Sequence, residues 1–286
     1  NPRVWDSDYS LGASVYQNEI QYTAYNQKSV GASLDVGKQL TRNLYGSVGY
    51  AFSENKATDA NNSANPNALI DYGQFVFEPK DLNYAKGTLT VGLNYDTTDD
   101  FYVPREGFIL GGSLGYVGLG GDQKFLDATA RFGAYYGLEE LIDYDLILRY
   151  KIRASALKDR GNIAIPEKLF MGGIGSVRGF QPYSITPFSG PDDNRTLLGG
   201  TQRLINTVEA SIPLSEAAKM RLAFFYDYGM IGRSSTGLDE LTREGYGVAL
   251  EWFSPMGPIN LVFARARNPE SYDRTASFEF TMGQKF

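Results

Sequence analysis

Apolar and polar residues alternate with a period of two along most of this chain. Between Asp145 and Ala154, Leu146, Leu148, Tyr150, Ile152 and Ala154 share one face, while Ile147, Arg149, Lys151 and Arg153 share the other. Three successive cations on one face need a wet interior. Val30, Ala32, Leu34 and Val36 alternate in the same way with Ser29, Gly31, Ser33, Asp35 and Gly37. The pattern predicts twelve strands, near 8–19, 27–40, 44–55, 86–97, 107–118, 123–136, 145–157, 201–213, 220–231, 244–254, 258–267 and 276–286. Each is about ten residues or slightly longer, the length of a tilted membrane strand. The number is even, as bacterial single-chain barrels require. No long segment carries a helical period.

The connections sort by length. Short turns fall at 39–43, 97–107, 137–144, 213–219 and 254–258, and long loops at 53–85, 158–200 and 232–245. All the long ones lie on one side under this count, as in barrels with short periplasmic turns and long extracellular loops. Tyr16, Tyr50, Phe52, Tyr95, Tyr116, Tyr228, Trp252 and Phe286 sit near strand ends. They read as interfacial girdles, with ordinary β-propensity as the plainer account. The expected fold is all-β: a transmembrane antiparallel up-and-down β-barrel of twelve strands, one domain over 1–286, its loop 158–200 folding into the lumen.

Composition narrows the chemistry. Cysteine and histidine are absent from the 286 residues. Disulfides, thiolate metal sites, imidazole bases and Ser-His-Asp triads are excluded together. No enzyme activity, cofactor or metal is expected. The net charge of −6 argues against a nucleic-acid partner. Mean hydropathy is −0.30 and no apolar run approaches a spanning helix, which a barrel with only its lipid face apolar accommodates. No leader precedes Asn1, so either one has been removed or the chain is a piece of a longer protein.

Met171-Gly-Gly-Ile-Gly-Ser-Val-Arg-Gly-Phe180 places one arginine among four glycines. It matches no phosphate-binding glycine pattern. A long loop in a compact fold is usually functional, and Arg178, between Val177 and Gly179-Phe180, suggests an anchored tip. Glu209 lies between outward Val208 and Ala210, and Asp227 between outward Tyr226 and Tyr228, so both face the lumen. They either hold the guanidinium or merely hydrate the wall. Arg149, Lys151 and Arg153 form a basic lumen row, either selecting anions or lining the wall. Phe278, Phe280, Met282 and Phe286 share a face of the last strand, where Gly283 would permit a kink. Asp99/Asp100 and Asp192/Asp193 read as solvated loop charge, with cation bridging the sharper reading. Asn61-Asn-Ser63 and Asn194-Arg-Thr196 match the glycosylation pattern but sit in loops of a bacterial-type barrel.

Val177-Arg178-Gly179-Phe180 resembles the V-R-G-F/Y motif of the BamA-type outer-membrane assembly insertases and their exporter relatives. Phe225-Tyr-Asp227-Tyr-Gly229 is similar to that family's F-x-D-x-G motif. Trp252-Phe-Ser-Pro-Met-Gly-Pro258 resembles a W-x-S-P-M/L-G-P stretch near the end of the insertase members. Asn1-Pro2 before a strand fits as well. The resemblance spans essentially the whole chain and rests on three motifs in order.

The resemblance implies that the long loop folds back into the barrel, with Arg178 as tip arginine and Asp227 and Glu209 as wall partners. It implies a barrel of sixteen strands preceded by POTRA domains, so the twelve here would be the fifth to sixteenth of a larger protein. It implies a last strand that pairs weakly with the first at an opening seam and carries an assembly signal. The implied function is folding and inserting β-barrel proteins into the outer membrane, without nucleotide. The partners would be the outer-membrane lipid bilayer and lipopolysaccharide, unfolded barrel clients, and accessory lipoproteins reached through the POTRA domains. The alternative is an exporter of the two-partner-secretion or autotransporter-assembly type. A passive porin fits poorly with a loop anchored inside, and a barrel protease or lipase poorly with the lack of histidine.

Overall fold

The computed structural model describes residues 8–21, 25–58, 73–192 and 194–283. Twelve strands form one sheet in sequence order, each antiparallel to the next. They are β1 (Tyr9–Gln21), β2 (Asn26–Gln39), β3 (Leu44–Thr58), β4 (Asn83–Asp96), β5 (Glu106–Gly121) and β6 (Lys124–Gly137). Then follow β7 (Ile147–Asn162), β8 (Gln202–Ser215), β9 (Met220–Gly232), β10 (Leu241–Ser254), β11 (Gly257–Arg267) and β12 (Phe278–Met282). Among the described residues the two α-helical segments, Pro79–Leu82 and Glu139–Ile142, are single turns. Among the described residues no helix is long and apolar enough to cross a membrane.

The burial of the strands is the reverse of a soluble protein's. Val15 is 86% exposed, Leu114 68% and Leu34 62%. Arg149, Glu209, Arg221, Asp227 and Glu251 are buried. A large exposed apolar surface over a buried polar wall would be costly in water. It is the arrangement that a lipid exterior and a polar lumen require. The fold is a transmembrane antiparallel β-barrel.

The last strand departs from expectation. The alternation predicts 276–286, but β12 covers Phe278–Met282. At its start, Thr275 and Ala276 leave the ladder to pair with the long loop: Phe180 bridges Thr275, and the Ala276 amide donates to the Gly179 carbonyl at 3.0 Å. At its end, Gly283 takes φ +82°, outside the extended range. Phe286, Asn1, Pro2, Asn61–Ser63 and Asp193 lie outside the described residues.

The two ends of the sheet are closed differently. At the short-turn end, Asp99 and Asp100 are turn caps: Asp99 Oδ1 accepts the Arg105 and Glu106 amides, and Asp100 Oδ1 those of Tyr102 and Val103. Tyr102 packs edge-on against Phe253, 5.8 Å between centroids, so the β4–β5 turn reaches the end of β10. Asp145 receives Arg105 and Arg221, each at 2.6 Å. At the long-loop end, Gln74–Phe75, Thr196–Leu197 and Phe188–Ser189 make a small separate sheet. Under it, Tyr25, Phe75, Ile165, Phe170 and Leu197 form an apolar cluster. Lys86 and Tyr84, on β4, bind Glu167 there.

Candidate functional site: a loop bound to the inner wall

The chain between β7 and β8 carries Met171–Phe180 to the inner faces of β8, β9 and β10. Its apolar residues supply the seat. Met171, Val177, Phe180 and Ile185 pack with Ile205 of β8 and Ile231 of β9, all of them buried. The Met171 amide donates to the Ile185 carbonyl and the Ile185 amide to the Met171 carbonyl, at 2.9 and 3.0 Å, closing the loop on itself. Burying apolar side chains of this size stabilises the seat by roughly 1.5–3 kcal/mol each.

Arg178 emerges from that seat into a polar pocket. Its Nε and Nη2 donate to the two oxygens of Asp227, both at 2.7 Å, in a bidentate fork. The Arg178 backbone amide donates to Asp227 Oδ2 at 3.1 Å, and Nη1 donates to Glu209 Oε1 at 3.0 Å. The guanidinium lies 3.4 Å from the centroid of the Phe225 ring, a cation–π contact. Thr207 Oγ1 donates to Asp227 Oδ1 at 2.8 Å and orients the carboxylate. The motif Phe225-Tyr-Asp227-Tyr-Gly229 thus acts as a unit. Alternation turns its first, third and fifth residues inward. Phe225 stacks, Asp227 binds, and Gly229 leaves room, since a Cβ there would lie 2.5 Å from Val177 Cγ2.

Gly179 has φ +96°, and a Cβ there would lie 2.7 Å from the Ala266 nitrogen on β11. Only glycine allows the tip to turn that closely past the wall. Phe180 beyond it is fully buried.

The basic row belongs to the same network. Arg149 forks onto Glu251 of β10 at 2.6 and 3.0 Å, and Lys151 donates to Glu209 at 2.7 Å. Arg153 donates to the Gly175 carbonyl at 2.8 Å. Two of the three cations are therefore neutralised, and the third holds the loop. This pairing favours a lined wall over an anion-selecting ring. Glu209 sits among Lys151, Arg178 and, at 3.7 Å, Arg149.

The proposed seam residues lie apart from this pocket. Phe278, Phe280 and Met282 are each more than half exposed on the outer face. On the inner face of β12, Glu279 Oε1 accepts the Ile174 amide at 3.1 Å. Glu279, Glu251 and Gly245 escaped the sequence reading. The parity that turned Asp227 inward applies equally to Glu251, between Leu250 and outward Trp252, and to Glu279, between two outward phenylalanines. For Gly245 sequence carries no signal: a Cβ there would lie 1.8 Å from the Arg178 carbonyl oxygen, a clash visible only once the loop is in place.

Apolar residues outward, charged pairs inward and a long loop bound to the inner wall define an integral outer-membrane β-barrel. The Omp85 superfamily domain matches residues 1–286, and the chain belongs to that family. The chain is 26% identical over 305 residues to the outer membrane protein assembly factor BamA of Neorickettsia risticii, covering 99% of this chain and 38% of the relative. It therefore spans well under half of that relative. The crystal structure of BamA from Haemophilus ducreyi lacking POTRA domains 1–3 superposes with a TM-score of 0.79 at 21% identity, over 99% of this chain and 60% of that one. CdiB from Acinetobacter baumannii gives a TM-score of 0.59 at 17% identity, over 96% and 48%.

Proposed function

We propose that this chain is the barrel portion of an assembly factor that folds and inserts β-barrel proteins into the outer membrane. The observation that carries the reading is the Arg178–Asp227–Glu209 anchor. It joins two separate sequence motifs through one buried contact, in a chain that resembles an assembly factor over its whole length.

The mechanism lowers an insertion barrier and makes or breaks no covalent bond; the protein is not an enzyme in this reading. A β-strand edge satisfies the backbone groups of an incoming strand, which lipid cannot do. The seam side formed by β12, with Phe278, Phe280 and Met282 and with Gly283 just beyond it, would offer that edge. The anchored loop would hold β8–β11 rigid behind it. Clients are unfolded barrel proteins. Accessory lipoproteins would engage POTRA domains outside this chain, and the bilayer with its lipopolysaccharide is the medium.

Depletion of the parent protein in its own cell, followed by quantification of unrelated outer-membrane barrels, tests this. A general fall in many barrels is expected. Loss of a single secreted protein would instead establish the exporter reading.

A further inference from the structure

The outer surface of β4–β8 carries a groove that the assembly reading does not use. Register places Leu93, Gly112, Ala130, Ala154 and Leu204 side by side in one row across five strands. Ala128 and Ala156 pair in the next row toward the long loops. Small residues between leucine rims leave a concavity of about 610 Å³. Elsewhere the outer rows carry larger side chains such as Leu34, Val48 and Phe224.

A cationic cluster sits at the long-loop end of this groove. Lys158 follows Ala156 by two residues on the same outward face of β7, about 7 Å further along, and pairs in register with Leu126 of β6. Lys124 continues the outward face of β6, and Arg160 follows in the bulge of β7. All three are exposed. Among the described residues none of them has an ion-pair partner. The nearby acids are engaged with backbone: Asp159 accepts the Gly161 amide and Asp122 the Ala85 amide. The pattern differs on β2–β3, where outward Lys56 is accompanied by Glu54 on the same face.

We propose that this surface binds a phosphorylated, multiply acylated lipid of the outer leaflet. Lys124, Lys158 and Arg160 would take its phosphates and the Gly112–Ala130–Ala154 floor its acyl chains. Charge and shape select one occupant. The cations lie at the long-loop end, where the head groups of the outer leaflet lie, and the floor runs from them into the hydrocarbon depth. A neutral lipid would leave three cations uncompensated at that interface. A chain-only contact would not need them.

The test uses the intact protein and native mass spectrometry, with bisphosphorylated hexa-acyl lipid A and its dephosphorylated form as probes. The bisphosphorylated form is expected to bind more tightly, and Lys124→Gln and Lys158→Gln each to weaken it about fivefold. Ala130→Trp, which fills the floor, is expected to reduce binding of both forms. Lys56→Gln is expected to leave binding unchanged. Equal binding of the two probes, unchanged binding by the Lys124 and Lys158 variants, or an equal loss in Lys56→Gln would each overturn the proposal. A migration that changes on boiling shows that each variant is folded. The readout is lipid binding, so the assembly function can fail with this site intact, and the reverse.

Discussion

At the scale of the residue, Arg178 decides the state of the loop. Its charge is buried, and so are the two carboxylates that compensate it. Removing one member of such a set leaves an uncompensated buried charge, at a cost of about 3–5 kcal/mol. Arg178→Ala is therefore expected to loosen the loop while the barrel persists. Limited proteolysis within 163–201 should accelerate, and migration without boiling should remain that of a folded barrel. Asp227→Asn should do the same, and the double variant should cost little more than either single change, because coupled residues are not additive. Additive losses would show that the pair does not act as one unit. Arg178→Lys should rescue poorly, since an ammonium cannot fork onto both oxygens of Asp227 while reaching Glu209. Gly245→Val is expected to displace the tip with Arg178 intact, because its first carbon already collides with the Arg178 carbonyl.

The two acids were legible in sequence because a strand reports its faces by parity, and parity needs no partner. The contact itself was a matter of resemblance, since nothing in alternation states that a loop arginine 31 residues before one acid and 49 before the other reaches them both. Residues recognised only through their partners, such as Gly245, stayed hidden for the same reason.

At the scale of the element, the loop and the last strand are held as one piece. Phe180 bridges Thr275, the Ala276 amide reaches Gly179, and Glu279 receives the Ile174 amide. The strand loses barrel pairing at Thr275 and Ala276 because it spends that backbone on the loop, and it rejoins the ladder at Ser277, whose carbonyl accepts the Ala264 amide. Periodicity counts side chains and does not see this exchange, so it predicted a longer strand. A cysteine pair at Phe180 and Thr275 is expected to cross-link spontaneously, and the chain has no native cysteine to compete. If assembly requires the strand to move away from the loop, oxidation should lower it and reductant restore it. The reduced pair measures the packing lost with Phe180. Equal activity in both states would show that the contact stays closed during function.

The short-turn end has its own fastening, and it depends on pH. Burial disfavours the Asp145 carboxylate, but the hydrogen bonds and charges of Arg221 and Arg105 outweigh that and hold its pKa below the ordinary range. A depressed carboxylate contributes stability above its unfolded value, about 3.9, and loses it as pH falls through the folded value. The temperature at which the folded form is lost should therefore drop on acidification below about pH 4. Asp145→Asn should be less stable at neutral pH and show a shallower acid dependence. An unchanged acid slope in that variant would place the titration elsewhere.

At the scale of the whole molecule, the question is why a loop is bound to the inner wall. A passive pore needs a continuous aqueous path with groups that bind ions weakly enough to release them. Here the inner wall pairs its charges: Arg149 with Glu251, Lys151 and Arg178 with Glu209, Arg178 with Asp227. The loop covers that paired wall with Met171, Val177 and Phe180. In lipid bilayers the intact protein is thus expected to conduct little and with weak ion preference. Deleting 172–184 should raise conductance several-fold while the barrel stays folded, because it removes the occupant and leaves the wall. Selectivity should then follow the newly unpaired Asp227 and favour cations, while Glu209 keeps Lys151. Arg178→Ala should fall between the two, with flickering openings as the loop leaves and rebinds. A large, steady conductance in the intact protein would contradict a lumen closed by its own chain. Unchanged conductance after the deletion would place the barrier in the short-turn fastening of Tyr102, Arg105 and Asp145.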